Sequence, residues 1–313
     1  MKKELLNGIK SCSRCALCAQ VCPIYEVKKT ETTLARGKFL QLLGVLRGEL
    51  KFNKKIEENI KLCVNCKRCT RNCPSGIDAV ELFSKIKYEC LKKNKGFLNG
   101  EFVFNSKLFP FKVLNAFFSK PLKLKEGEIY FKGCLSRRRG KSEFKCCATP
   151  FLSCGRRDIY EKYVAHNMKI IERSEVKKVF FDCATCFDEV KNYPFEDPKS
   201  VLKLEFLPMV SPKMPFTFYK PCHIDANEFE KIEATFGSNY VPLEKQSCCG
   251  FGGDFFTRHP IIAHKLSISL ARGIYNSGVK VVLTACPSCS WSLRWGLFVE
   301  SFKHPYKIKV LAL

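Results

Sequence analysis

Three features are scarce in this sequence of 313 residues. No apolar run approaches the roughly 18 residues that indicate a transmembrane helix, so we expect the chain not to cross a bilayer. The N-terminal stretch MKKELLNGIKSC begins with basic residues but contains neither an apolar segment nor a small-residue cleavage site, so we expect no export signal. Acidic residues number only 30 against 54 lysines and arginines, which leaves a formal net charge of +24.

This positive charge bears on partners more than on fold. It suits an acidic protein, the anionic inner leaflet of a membrane, or nucleic acid; the alternative is that many lysines only solvate the surface. The charge is spread along the chain instead of gathered on one recognition helix, so nucleic acid is the least favoured of these partners.

Cysteine, in contrast, is abundant, with 20 residues. Disulfide frameworks of this density belong to short secreted chains, which carry export signals. In a cytoplasmic chain the thiols stay reduced, and metal binding becomes the favoured use of them. We therefore expect a cytoplasmic metal-binding protein.

Eight of the cysteines fall in two runs of the same spacing. Residues 12–23 read CSRCALCAQVCP and residues 63–74 read CVNCKRCTRNCP. In two-cluster ferredoxins such a loop supplies three ligands of one cubane, and its last cysteine, before the proline, binds the other cluster. Zinc has no need of eight thiolates in this order. The runs predict two [4Fe-4S] clusters, the first held by Cys12, Cys15, Cys18 and Cys73 and the second by Cys63, Cys66, Cys69 and Cys22.

From residue 128 onward the chain repeats one order of features: a strand, a cysteine pair, an amphipathic helix, a strand and a C-x-x-C. Between Cys147 and Cys183 lie 35 residues, and between Cys249 and Cys286 lie 36, which indicates duplication. The alternation of strands and helices predicts an α/β unit for each copy. The first copy offers Cys134, Cys146, Cys147, Cys183 and Cys186, and the second offers Cys222, Cys248, Cys249, Cys286 and Cys289.

These features divide the chain into four segments and give an α+β protein overall. Residues 1–95 form a mainly helical ferredoxin-type domain, whose helices are predicted by apolar residues at helical spacing in TTLARGKFLQLLGVLRGEL and GIDAVELFSKIKYECLKK. Residues 96–127 are a linker rich in phenylalanine and lysine, which either packs on the domains or forms a docking surface. Residues 128–215 and 216–313 are the two cysteine-rich α/β domains.

The cysteine runs, the ARGKFLQLLGVLRG between them, the CPSG that begins at Cys73 and the two repeats together resemble the iron-sulfur subunit of glycolate oxidase. Similar repeats occur in lactate-utilisation iron-sulfur proteins, in a subunit of the anaerobic glycerol-3-phosphate dehydrogenase and in heterodisulfide reductase. The resemblance implies that the repeats are cysteine-rich CCG domains, whose five-cysteine sets hold noncubane [4Fe-4S] clusters. Zinc in one or both sets is the alternative.

The first repeat departs from that family in two ways. Its pair reads CCAT, with Ala148 where the family has glycine, and 11 residues separate Cys134 from the pair, against 25 from Cys222 to its pair. These departures leave the occupancy of the first site open. Cys154 has no assigned role, and His223 is expected to be a hydrogen-bonded structural histidine.

The resemblance implies an electron-transfer subunit of a glycolate- or lactate-type 2-hydroxy-acid dehydrogenase, an oxidoreductase. An FAD-containing partner would oxidise the substrate, because nothing in this chain looks like a flavin site or a catalytic base. The electrons would pass to a quinone or another acceptor, with a peripheral position on the inner face of the membrane. Two alternatives are a heterodisulfide-reductase-like thiol/disulfide redox protein and a basic, cluster-containing nucleic-acid-binding or sensor protein.

Overall fold

The computed structural model describes residues 2–93, 124–133, 143–196, 203–206 and 212–312. Of the predicted linker 96–127, only residues 124–127 fall within these ranges, and Cys134 lies outside them. Among the described helices, none is both long and apolar enough to span a bilayer.

The described N-terminal residues are helical. Their helices are α1 (Lys2–Lys10), α2 (Leu17–Val21), α3 (Pro23–Lys28), α4 (Ala35–Leu46), α5 (Lys54–Lys61), α6 (Arg68–Arg71) and α7 (Ala79–Lys93). The two predicted helices are α4 and α7, and their buried faces meet where Phe39 stacks on Phe83 with ring centroids 5.1 Å apart. Cys90 packs at the edge of this core, as its helical spacing predicts.

Each repeat forms a three-stranded parallel sheet. In the first, β1 (Glu128–Phe131), β2 (Lys178–Phe181) and β3 (Lys203–Phe206) pair in the order β1-β2-β3. In the second, β4 (Phe216–Phe218), β5 (Val281–Thr284) and β6 (Lys309–Ala312) pair in the order β4-β5-β6. The sequence predicted two strands per repeat, and the third strand of each sheet is an addition.

Helices connect these strands. The first repeat contains α8 (Thr149–Cys154), α9 (Arg157–Ile171) and α10 (Ala184–Lys191); the second contains α11 (Ala226–Glu233), α12 (Phe255–Arg258), α13 (Pro260–Asn276) and α14 (Pro287–Glu300). Every residue of β4 and β5 is buried, as expected for strands of a parallel sheet whose two faces are both covered. Helices α13 and α14 pack closely because Gly296 has no side chain: a Cβ there would lie 2.2 Å from the Ser267 carbonyl oxygen.

The N-terminal part packs directly against both repeats. Ile24 and Val64 share one apolar cluster with Phe255 and Leu266 of the second repeat. Toward the first repeat, the buried Lys87 ammonium donates to the Ser153 carbonyl at 2.8 Å. The described residues therefore bring the cysteine runs of the N-terminal part close to the cysteines of the repeats.

Candidate iron-sulfur sites

The four cysteines predicted for the first cubane line one pocket. Cys12 and Cys15 lie between α1 and α2, Cys18 lies in the first turn of α2, and Cys73 follows α6. The same pocket is lined by apolar side chains, including those of Leu17, Phe39 and Ile77. Two chain segments more than 50 residues apart thus supply the four thiols that the cysteine spacing assigns to one cluster. This exchange of the last cysteine is the arrangement expected of two-cluster ferredoxins.

The two cysteine loops share one backbone conformation. In the first loop, Arg14 and Ala16 flank Cys15 and have φ of 60° and 68°. In the second loop, Asn65 and Lys67 flank Cys66 and have φ of 55° and 56°. Left-handed φ is unfavourable for residues other than glycine and persists where the surrounding structure requires it, often at functional sites. Short helices α2 and α6 begin immediately after Ala16 and Lys67. The loops are therefore two copies of one cradle.

The cysteines predicted for the second cubane lie close enough to influence one another's charge. Burial raises the pKa of Cys69 well above its usual range, and nearby Cys63, Cys66 and Cys22 raise it further. Burial likewise raises the pKa of Cys22 to about 11, against the opposing effect of the Lys38 ammonium. Thiols in such surroundings need a bound cation to become thiolates, so this set fits a metal cluster chemically.

The second repeat gathers its five cysteines at one edge of its sheet. Cys222 follows β4 and Cys286 follows β5, so both lie at the carboxyl ends of parallel strands, where sites in α/β sheets form. The Sγ atoms of Cys222 and Cys248 are 3.8 Å apart, and those of Cys289 and Cys249 are 3.5 Å apart. Hydrogen bonds from Cys248 and Cys289 hold the pKa of Cys249 at about 5, despite its burial.

The first repeat brings its described cysteines together in the same way. Cys147 is hydrogen-bonded to Cys146 and to Cys186, and these bonds lower its pKa well below the usual range. Ala148, which replaces the family's glycine, adopts φ 69°, and the corresponding Gly250 adopts φ 73°. The replacement therefore leaves the local backbone conformation unchanged. Whether this site holds a cluster stays a prediction.

Cys154 lies apart from these sets as a packed residue of α8. It is 2% exposed, and its thiol donates to the Phe151 carbonyl at 3.4 Å. Burial raises its pKa to about 11. A buried, protonated thiol of this kind is structural and unreactive.

Contacts between sulfur atoms also join one set to the next. Cys69 lines the pocket of the first set, so the two N-terminal sets are adjacent. Cys66 of the second set is hydrogen-bonded to Cys248 of the second repeat. Cys183 of the first repeat is hydrogen-bonded to Cys286 of the second. The four sets thus form a continuous series from the N-terminal part, through the second repeat, to the first.

A carboxylate that sequence reasoning missed lies where the three parts meet. Asp188 of α10 contacts the Lys67 ammonium at 2.8 Å and the His223 Nδ1 at 2.9 Å, and the Arg71 guanidinium lies 3.7 Å away. Burial disfavours the charge on Asp188, but the hydrogen bond and charge of His223, together with Lys67, outweigh it and hold its pKa well below the usual range. His223 is therefore hydrogen-bonded, as expected, and Asp188 ties both neighbouring domains to the first repeat.

The next residue, Glu189, extends this polar junction into the first repeat. Its carboxylate accepts hydrogen bonds from the Tyr160 hydroxyl at 2.7 Å and from the Thr149 hydroxyl at 3.2 Å. Thr149 Oγ1 in turn lies 3.5 Å from the Cys147 Sγ. Burial raises the pKa of Glu189, because the side chain is almost wholly enclosed. The acidic pair thus connects the loop of the second cubane set to the thiols of the first repeat.

The donor chemistry of all four sets is that of thiols, soft ligands that suit iron-sulfur clusters or zinc. Within the described residues, no three histidine, cysteine, aspartate or glutamate side chains are arranged to hold one metal ion. An iron-sulfur cluster lies between its ligands and can bind thiols from separate chain segments. Each set described here is drawn from separate segments in this way.

Comparison with known families agrees with this arrangement. Residues 8–77 match the family described as 4Fe-4S dicluster domain. Residues 138–191 and 216–294 match the family described as cysteine-rich domain. The dicluster match contains all eight cysteines of the two N-terminal runs, and each cysteine-rich match contains a cysteine pair and a C-x-x-C.

Several curated proteins are similar to this chain. An uncharacterized iron-sulfur protein of Methanocaldococcus jannaschii is 26% identical over 96% of this chain and 70% of its own length. A subunit of the dihydromethanophenazine:CoB–CoM heterodisulfide reductase of Methanosarcina acetivorans is 24% identical over 93% of this chain and 90% of its own. The probable glycolate oxidase iron-sulfur subunit of Bacillus subtilis is 32% identical, over 34% of this chain and 23% of its own. This chain belongs to the iron-sulfur proteins that join a 4Fe-4S dicluster domain to two cysteine-rich CCG domains, with relatives among both glycolate oxidase iron-sulfur subunits and heterodisulfide reductase subunits.

Proposed function

We propose that this iron-sulfur protein is the electron-transfer subunit of a 2-hydroxy-acid dehydrogenase of the glycolate or lactate type. A partner flavoprotein oxidises the substrate, and a quinone at the inner membrane surface, or another acceptor, receives the electrons. The observation that carries this proposal is the continuous series of four thiol sets. When bound, the clusters supply reversible one-electron transfer.

The chain's own residues hold this series in place and bury its central part. Cys66 and Cys248 are both buried, and so are Cys249, Cys286 and Cys289. Lys38 is 2% exposed and brings a positive charge close to Cys22 and Cys69. Such a charge favours the anionic form of the thiols that surround it. These features position and tune electron carriers, and the substrate chemistry is assigned to the partner.

The occupants that we propose are two [4Fe-4S] clusters in the N-terminal sets and one or two noncubane clusters in the repeats. Iron and inorganic sulfide analysis of protein purified without air tests this assignment. The expected result is iron and sulfide in excess of the two cubanes, with little zinc. Zinc in place of iron in the repeats would contradict this assignment and support zinc as the occupant of those sites.

A second candidate function is thiol/disulfide reduction of the heterodisulfide reductase kind. The observation that favours it is the direct contact of the two repeats through Cys183 and Cys286, which places both sets of thiols at one interface. Relatives named as heterodisulfide reductase subunits also match the chain nearly end to end, whereas the glycolate oxidase match is local.

Co-purification with the partner flavoprotein separates the two candidates. The complex should reduce a dye with glycolate or lactate, and a Cys66→Ser variant should lose electron transfer through this subunit. Cys90→Ser is the matched control, because Cys90 lies outside the four sets. Activity with a disulfide substrate and none with either hydroxy acid would reject the first candidate and support the second.

A further inference from the structure

A ridge of aromatic side chains projects from the outer face of the second repeat. Trp295, Phe298 and Phe302 follow one another at helical spacing along α14 and the turn after it, and they are 47%, 59% and 78% exposed. The ring centroids of Trp295 and Phe298 are 6.5 Å apart, and those of Phe298 and Phe302 are 5.4 Å apart. Exposed neighbours of this size form a contiguous apolar patch, which marks an interaction site on a protein surface.

The ridge continues onto the neighbouring helix. The Trp295 indole nitrogen donates to the His264 Nδ1 at 2.9 Å, which fixes the indole across α13. Ile261 lies one turn before His264 and is 72% exposed. We call Ile261, His264, Trp295, Phe298 and Phe302 the aromatic ridge. It presents apolar side chains and one hydrogen-bonded pair of polar rings, Trp295 and His264.

Positive charge predominates in the chain segment that carries the aromatic ridge. Residues 255–313 contain eight lysines and arginines and a single acidic residue, Glu300. Glu300 is 3% exposed and paired with Arg272 and Lys303. Lys265 and Lys303 directly follow His264 and Phe302 in the chain and are both exposed. The charge of this surface therefore calls for an anionic partner.

We propose that the aromatic ridge docks this protein onto a membrane surface that carries anionic lipid headgroups. Aromatic side chains, tryptophan above all, settle at the headgroup level of a bilayer, and surrounding lysines and arginines are attracted to anionic lipids. This inference rests on the proposed function, in which the electron acceptor lies at the membrane. It identifies the surface of the protein that would face that membrane.

Charge argues against two other occupants of the aromatic ridge. A second copy of the chain would bring the same positive surface against this one. The segment 94–123 is apolar enough to cover a ridge, but it carries five lysines and one glutamate. Both would add like charge, which disfavours contact.

Co-sedimentation of the holoprotein with vesicles tests this proposal. Vesicles of phosphatidylcholine with phosphatidylglycerol should bind the protein, vesicles of phosphatidylcholine alone should bind it far less, and added salt should weaken the binding. The Phe298→Ser, Phe302→Ser double variant should bind the anionic vesicles at least roughly tenfold more weakly, because each buried phenylalanine contributes strongly. Phe52→Ser, at a phenylalanine 42% exposed in the N-terminal part, is the matched control and should bind as the unaltered protein does.

Equal binding to neutral and anionic vesicles, or unchanged binding of the double variant, would overturn the proposal. Tight binding to the partner flavoprotein that is lost in the double variant, without any vesicle binding, would reassign the aromatic ridge to a protein interface and also overturn it. Dye reduction in solution by the complex does not involve vesicles. If the unaltered protein binds no vesicles while its complex still reduces the dye, this inference alone is rejected. Unchanged iron content and circular dichroism show that the variant is folded.

Discussion

The backbone N–H of Ala184 donates to the carbonyl of Ala285 at 2.7 Å, and this bond ties one repeat to the other. The adjacent residues, Cys183 and Cys286, occupy the same position in their C-x-x-C motifs and are hydrogen-bonded to each other. Equivalent residues that meet in this way are characteristic of a two-fold interface between copies. The duplication thus produced a pseudo-symmetric pair whose thiol sets face one another.

We first predict that serine at Cys248 interrupts this series between the N-terminal part and the repeats. Cys248 contacts Cys66 on one side and Cys222 on the other. Cys248→Ser should lower the iron content and change the paramagnetic signals assigned to the repeats, while the cubane signals persist. Electron transfer from the N-terminal clusters to the repeats should be lost.

Cys154→Ser is the control for this variant, because Cys154 is a buried thiol outside the sets. It should keep the iron content and all the signals. A Cys248→Ser protein with unaltered iron and unaltered signals would exclude Cys248 from cluster binding.

The second prediction concerns Asp188. In Asp188→Asn, the Lys67 ammonium and the His223 ring lose the charge that they contact at 2.8 and 2.9 Å. Removal of one member of a largely buried charged network is costly, and after allowance for partial exposure we expect a loss of about 2 kcal/mol in the free energy of unfolding. Denaturant unfolding measures it.

The matched control is Glu143→Gln, which removes an exposed pair with Arg173 whose side chains are 68% and 45% exposed. We expect a change within about 0.5 kcal/mol, because exposed ion pairs contribute little. Equal effects of the two substitutions would show that the junction of the three parts does not depend on Asp188.

The sequence was sufficient to predict the thiol sets and most of the elements that present them. Helices α4 and α7 and strands β1, β2, β4 and β5 follow from apolar spacing, which is a local property. Strands β3 and β6 were missed because neither leads into a cysteine motif, the feature that marked the other four short strands. The predicted order of elements and the duplication were therefore enough to group the cysteines, although the third strand of each sheet was not predicted.

The contacts between the parts could not be predicted in the same way. Lys67 and Asp188 are 121 residues apart, and no motif of the sequence pairs them. The acidic pair Asp188 and Glu189, which follows the C-x-x-C of a basic chain, was the available signal. Its partners depend on how the domains dock, and docking is set by apolar clusters drawn from distant segments. Patterns within a single sequence do not specify how the domains dock.

The third prediction concerns pH. Burial, with the charge of Arg258, lowers the pKa of His259 to about 4. In the unfolded chain the ring binds a proton near pH 6.5, so unfolding takes up a proton between these values. Stability should therefore fall as pH drops from 7 toward 4.5, by about 2 kcal/mol after allowance for the partial exposure of the ring.

Denaturant midpoints measured at pH 7, 6 and 5 test this expectation. His259→Gln removes the titrating group and should flatten the decline. A variant that loses stability with falling pH as steeply as the unaltered protein would place the pH dependence elsewhere.

The last prediction uses the two equivalent left-handed positions. Ala148 has φ 69°, a conformation that is unfavourable for alanine by about 1 to 2 kcal/mol, whereas glycine adopts it freely. Ala148→Gly should therefore stabilise the protein, by about 0.5 to 1 kcal/mol once the greater entropy of glycine in the unfolded chain is included. The converse, Gly250→Ala, should destabilise it by more than 1 kcal/mol, roughly, because the new Cβ would also lie 2.8 Å from the Leu266 side chain. Thermal unfolding of both variants measures these opposite effects. Destabilisation by Ala148→Gly would mean that the buried methyl group of Ala148 contributes more through packing than the backbone loses through strain.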